Sequence, residues 1–239
     1  IDILKPDVNK SQLNFVNHGD NEILYGLGAV KGLGKAAIEN IISEREKKPF
    51  ENLYDFCARV DLSKVDKRGI EPLIKCGAMD SFNLSRKEML ESLEDAMKYA
   101  KQNTMTQESG ISDLFGGISE SNDFIPLKKD KHDDIANSKF EFSALGFYLE
   151  THPVKEHYWE LKKLGTGSIE NVMEERVNTI SGVIIRQNRI QTRRGPLVFA
   201  TLDDGTDRIE LVISSEVLEN FEGNLNPQTI YIASGDVTF

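Results

Sequence analysis

Apolar positions along this chain follow helical spacing through most of its length and give way to short strand-like runs near its end. The first helical stripe is Ala36, Ala37, Ile38, Ile41 and Ile42, closed by Pro49. A second is Leu53, Phe56, Cys57 and Val60, and a third Ile70, Leu73, Ile74 and Cys76, closed by Gly77. Recurrence at three and four residues places each set on one helix face. Residues 62–66 form a turn with Asp66 as a candidate N-cap, while Pro72 inside the third stripe predicts a kink or a late helix start. Ser85 and Glu88 make a capping box, with Leu84 and Met89 as a hydrophobic staple, before a helix over 84–102 expected to bury Leu90, Leu93, Met97, Tyr99 and Ala100. Helical spacing returns over 138–164 in Phe140, Phe142, Leu145, Phe147 and Tyr148, then Tyr158, Trp159, Leu161 and Leu164. Strands are expected over 177–190, 196–202, 208–213 and 229–239, with a short helix over 215–225. Arg193-Arg194-Gly195 and Asp203-Asp204-Gly205-Thr206 supply the turns.

The pattern sorts the chain into parts. Residues 1–24, punctuated by Pro6, Asn9 and Ser11, read as a connector. Residues 25–102 read as four short helices in two hairpins followed by a longer helix. Residues 103–140 are polar and of low pattern, a long linker with one apolar island, Ile111-Ser112-Asp113-Leu114-Phe115, set between glycines. Such an island either docks back on its own protein or anchors in a partner's pocket. Residues 141–170 read as a helical connector. Residues 171–239 give strand, strand, strand, helix, strand, the order of an OB barrel without its last strand. The expected class is therefore α+β and multidomain: an all-α tandem helix-hairpin-helix module, a helical linker region and an incomplete β-barrel.

Composition narrows the function classes. The chain has 239 residues, 39% hydrophobic and 28% charged, within the range of globular proteins. No apolar run approaches membrane-span length, and no secretory signal is present, so no membrane partner is expected. Cys57 and Cys76 are too few for a disulfide framework or zinc site and read as buried free thiols, which suits a reducing cytoplasm. The chain opens at Ile1 without Met and closes at Phe239 in a strand-like run, so it reads as a piece of something longer. The net charge of −10 argues against a generally basic nucleic-acid binder. Acidity is concentrated in residues 81–160, which hold 9 basic against 15 acidic side chains. Any nucleic-acid contact must then be a local, salt-sensitive patch.

The stretch with the most chemistry is Tyr25 to Ile38. Gly32 and Gly34 flank Leu33, and Lys31 and Lys35 bracket the pair. Glycines here free the backbone, and unpaired N–H groups of a helix starting at Lys35 form an anion site suited to a nucleic-acid phosphate. Taken alone, the same residues also fit an ordinary structural turn. The spacing is neither a Rossmann fingerprint nor a Walker loop. Lys64, Lys67 and Arg68 cluster at the second turn, either as a solvated helix start or as phosphate contacts. Around the first strand of the barrel, Arg186, Arg189, Arg193 and Arg194 gather, and Phe199 and Phe239 are either stacking faces for single-stranded nucleic acid or core residues. His152 and His157 are five apart with no third ligand, so packing or surface roles are expected and no metal site. Carboxylates are scattered, and Asp203-Asp204 reads as turn chemistry. No catalytic constellation emerges.

Taken together, Tyr25-Gly-Leu-Gly-Ala-Val-Lys-Gly-Leu-Gly34, Asp55-Phe-Cys-Ala-Arg59, Leu73-Ile with Gly77-Ala78, the run from Leu145 to Pro153 and Thr201-Leu-Asp-Asp204 resemble the C-terminal half of bacterial replicative DNA polymerase III alpha subunits. Pro6-Asp-Val-Asn9 resembles the lead-out from that family's fingers region. The resemblance covers essentially the whole chain. It implies a non-catalytic portion of a DNA-directed DNA polymerase of the bacterial cytoplasm, whose Mg-dependent palm lies elsewhere, so no cofactor is expected here. It implies that Lys31, Gly32, Leu33, Gly34 and Lys35 grip the duplex backbone behind the polymerase site and that the OB domain contacts single-stranded template. It further implies that 111–115 meets the sliding clamp (the beta subunit), with Ile111 where the family carries Gln, and that other replicase subunits are partners of the parent chain. A helix-hairpin-helix and OB module of a DNA repair or recombination protein is the competing expectation, since such parts recur there.

Overall fold

The computed structural model describes residues 1–109, 133–174, 176–193, 195–221 and 224–238. It divides into two compact units, Ile1–Leu149 and Glu150–Phe239.

The first unit opens with three short strands, β1 (Asp2–Leu4), β2 (Val16–Asn17) and β3 (Glu22–Leu24), in the order β1-β3-β2. Residues 1–24, patternless in sequence, are tied into the helical core. Val8 is fully buried, and the buried Arg45 guanidinium donates to the carbonyls of Val8 and Ser11 at 3.0 and 2.5 Å. A single 3-10 turn (Leu27–Ala29) leads to α1 (Lys35–Lys47), so the first of the expected short helices is one turn only. Then come α2 (Leu53–Arg59), α3 (Lys67–Lys75), α4 (Arg86–Ser109) and α5 (Asp133–Leu145). Ile38, Ile41, Leu53, Phe56, Ile70, Leu73, Ile74, Met89 and Leu93 form one core, each at most 1% exposed, as their spacing requires.

Caps set the helix limits. Asn52 accepts the Asp55 N–H at 2.9 Å and Asp66 accepts the Gly69 N–H at 3.0 Å. Pro72 sits inside a helix that starts regularly at its Asp66 cap, so the late start does not occur. Gly77, at φ +79°, ends α3 with the Ala78 N–H on the Leu73 carbonyl and the Gly77 N–H on that of Ile74, a Schellman closure. Before α4 the capping box forms, with the Ser85 N–H donating to Glu88 Oε2 (2.9 Å) and the Glu88 N–H to Ser85 Oγ (3.2 Å). Helix α4 continues to Ser109 and α5 starts at Asp133, both past the limits of the apolar pattern. Periodicity reports which face is buried, and it does not mark where a run of good helix formers ends.

The second unit begins with α6 (Pro153–Glu156) and α7 (Tyr158–Lys163), and a 3-10 turn at Ile169–Asn171. Strands β4 (Val177–Thr192), β5 (Gly195–Asp203), β6 (Arg208–Ile213) and β7 (Ile230–Asp236) form one antiparallel sheet in the order β6-β5-β4-β7, with α8 (Ser215–Asn220) between β6 and β7. The strand and helix order matches the expected OB-type succession. Ile180, Ile184, Val198, Ala200 and Leu202 are its buried core. A bulge between Ile184 and Arg186 shifts the β4 register, so the buried half of the strand gives way to an exposed arm over 186–192.

Candidate nucleic-acid interface

The first hairpin presents an uncapped helix N-terminus. Gly34 is the N-cap of α1, at φ −81° and ψ 157°, and has no side chain to accept the first-turn N–H groups. Those N–H groups of Lys35, Ala36 and Ala37 precede the first intrahelical bond, from Ile38 N–H to the Gly34 carbonyl at 3.1 Å. Gly34, Lys35 and Ala36 are exposed, and a Cβ on Gly34 would meet nothing within 4 Å. A helix start left uncapped in this way has N–H donors and the positive dipole end to offer an anion. Leu33 is buried and pins the turn to the core, so its role is anchorage. Lys31 is exposed, with its backbone N–H on the Ala144 carbonyl of α5 at 3.0 Å. Among the described residues Lys35 reaches only the exposed Glu39, at 3.7 Å. A surface pair of that length leaves the lysine available to another anion.

Gly32 explains why this turn needs glycine. Its φ is +82°, and a Cβ would lie 3.3 Å from the Arg68 carbonyl oxygen. That carbonyl is the one to which residue 72 would donate, and Pro72 has no N–H. Proline leaves the carbonyl free and the glycine lets the first hairpin close against it. Gly69 does the reverse, since a Cβ there would stand 3.3 Å from Leu33 Cδ1. The two hairpins are packed turn to turn. No single motif in the sequence joins Gly32 to Pro72.

The second hairpin is built differently. Its helix start is occupied by the carboxylate of Asp66. Lys64 pairs with Asp61 at 3.0 Å, and Lys67 with Glu94 at 2.6 Å. Arg68 is exposed beside Gly32 and forms no ion pair among the described residues. Of the basic set at this turn, Arg68 is the member the packing places next to the glycine hairpin.

On the second unit, strand pairing sorts the expected single-strand residues by face. Val198, Ala200 and Leu202 point into the core, so Leu197, Phe199 and Thr201 lie on the outer face. Opposite them stand Ile190, Asn188 and Arg186 on β4, and Val212 lies across from Phe199 on β6. Arg186 and Phe199 thus share the outer face as diagonal neighbours. Arg189 is opposite Val198, on the other face, and Arg193 sits in the exposed β4–β5 turn. Arg194, Phe239 and the island Ile111–Ser112–Asp113–Leu114–Phe115 lie outside the described residues.

One contact had no signal in the sequence. His152, just before α6, packs against the β5–β6 turn with Nε2 3.2 Å from Asp203 Oδ1, while its Nδ1 accepts the Val154 N–H at 3.3 Å. That acceptor role puts the proton on Nε2, facing the carboxylate. Asp203 also accepts Arg208 Nε at 2.7 Å and the Gly205 N–H at 2.9 Å. Burial alone would raise its pKa, but the bonds from His152, Arg208 and Gly205 outweigh that and bring it to about 2. Asp204 accepts from Ile169, Thr206 and Asp207 and is also lowered, although burial opposes. Both aspartates do turn chemistry, and His152 is a packed histidine.

Among the described residues no group of three metal-ligating side chains occurs, and no helix is long and apolar enough to cross a membrane. Cys57 and Cys76 are buried free thiols, raised by burial to about 12.

Comparison with known proteins gives the arrangement a context. Residues 1–89 match the helix-hairpin-helix motif, and residues 179–239 match the OB-fold nucleic acid binding domain. Over 99% of its length the chain is 32% identical to DNA polymerase III subunit alpha of Haemophilus influenzae and 34% identical to that of Vibrio cholerae, covering 21% of each. It is 33% identical to that of Pseudomonas aeruginosa, covering 22% of it. The chain therefore spans about a fifth of the length of these relatives. The α+β succession of a helix-hairpin-helix region and an OB-type sheet is the one expected from the sequence.

Proposed function

We propose that this chain, similar from end to end to a segment of the DNA polymerase III alpha subunit, holds DNA for a polymerisation reaction performed by residues outside it. The observation that carries the reading is the exposed start of α1, where Gly34 offers no capping side chain to the first-turn N–H groups of Lys35, Ala36 and Ala37. Backbone donors and the helix dipole grip a phosphate without reading a base, so duplex of any sequence fits. Arg68, whose backbone carbonyl lies against Gly32, adds an exposed cation from the second turn. Asp66, which already occupies the start of α3, leaves the second turn a supporting part. The outer face of the OB-type sheet, with Arg186 and Phe199, supplies a cation and a stacking surface for single-stranded template. Ile111–Phe115 is assigned to the sliding clamp on its sequence alone, through the Leu114–Phe115 anchor, and its loss of binding on Leu114→Ala with Phe115→Ala is the check. The other replicase subunits would be met through the rest of the parent chain.

The experiment is duplex binding by the 239-residue chain at graded salt. Wild type binds duplexes of unrelated sequence alike, and binding falls as salt rises. Gly34→Asp with Lys35→Glu abolishes it at low salt. Unchanged binding by that variant would remove the hairpin from the interface.

A further inference from the structure

The short helix α7 presents two aromatic rings to solvent that no part of the reading above uses. Trp159 is 69% exposed and Tyr158 is 48% exposed, whereas Leu161 on the same helix is buried and attaches it to the fold. The rings meet edge to face, with centroids 5.2 Å apart and planes at 75°. In that geometry the edge of one ring lies against a face of the other, and the exposure of both leaves ring surface open to solvent. Lys162 places its ammonium 5.5 Å from the Tyr158 centroid and 5.7 Å from that of Trp159. Lys155 and Lys163 are exposed nearby and form no ion pair among the described residues. Glu160 and Glu156 are the acidic members of the same stretch.

We infer that Trp159 and Tyr158 form a stacking platform for an unpaired base, with Lys155, Lys162 and Lys163 meeting the flanking phosphates of a single-stranded nucleic acid. Every base offers a π-face, so the platform needs no sequence. The lysines decide between occupants: an apolar protein surface laid on these rings would desolvate three ammonium groups, whereas a phosphodiester chain neutralises them. The inference rests on the reading that this unit handles single strands, and adds to it a second contact outside the sheet and outside residues 179–239 that match the nucleic-acid-binding domain.

The test uses the fact that Trp159 is the single tryptophan of the chain, so its emission reports this site alone. The whole chain is titrated with oligothymidylate, following both the anisotropy of a labelled oligonucleotide and tryptophan emission. Binding accompanied by quenching, weakened about 5- to 100-fold by Trp159→Ala and partly restored by Trp159→Phe, supports the platform. Binding with unchanged emission and an unaffected Trp159→Ala overturns it while leaving the sheet face standing, and marks these rings as a protein-facing surface. Loss with Trp159→Ala but not with Phe199→Ala supports the platform and removes the sheet face. Absence of any oligothymidylate binding overturns both.

Discussion

Asp203 collects donors from a histidine, an arginine and a backbone amide, and its side chain is 9% exposed. A carboxylate held at about 2 in the folded chain, against 3.8 ordinarily, adds stability above the unfolded value that is lost as pH falls through the folded one. The contribution is full above about pH 5 and fades between about pH 4 and 2, and the shift corresponds to roughly 2 kcal/mol. Asp203→Asn should therefore be less stable than wild type at pH 7 by about that amount in urea unfolding, with the gap closing toward pH 2. A gap independent of pH would assign the effect to packing. Gly32 is the second residue of consequence. At φ +82° and against the Arg68 carbonyl, Gly32→Ala should lower stability by about 1–2 kcal/mol. Neither effect is visible in sequence alone. Asp203 was legible as a turn residue because Asp before Gly is local chemistry, but its histidine partner is 51 residues away and nothing in the spacing of either points to the other.

At the scale of elements, α1 and α3 are two hairpin helices with opposite starts, a bare glycine and a capping aspartate. Gly34 has N-cap dihedrals open to any residue and empty space where a Cβ would go. Aspartate is a preferred N-cap, better than glycine by a few tenths of a kcal/mol. Gly34→Asp alone should thus leave the melting temperature equal or slightly raised while duplex binding drops. A fall in both would indicate a structural turn. Asp66→Ala, by contrast, should cost about 1 kcal/mol of stability with little effect on binding. Elements with a buried face were readable because burial imposes a period, and their caps were readable because Asp66, Ser85 and Glu88 act within four residues. The 3-10 turn at Leu27–Ala29 and the polar ends of α4 and α5 were not, since neither leaves a stripe. The sheet's residues were found, but their sorting was not. The bulge after Ile184 decides that Arg186 joins Phe199 and that Arg189 does not, and a bulge changes register without changing composition.

At the scale of the whole molecule, a net charge of −10 opposes DNA, so the proposed contact should be small and its salt dependence shallow compared with that of a basic protein. With Lys31, Lys35 and Arg68 as the cations of the proposed duplex contact, log affinity against log salt should have a slope of about −3, and Lys35→Ala should reduce its size by about 1. A much steeper slope would call for cations elsewhere. The interlock between the hairpins reaches furthest at this scale. With the Gly32 backbone seated on the carbonyl that Pro72 leaves unbonded, and Leu33 against Gly69, neither turn can open by itself. In native-state hydrogen exchange the amides of α1 and α3 should then share one opening free energy and respond together to denaturant. The glycine hairpin would inherit its rigidity from a proline forty residues away, and a chain that loosened α3 would weaken the proposed grip on DNA without any change in the hairpin itself.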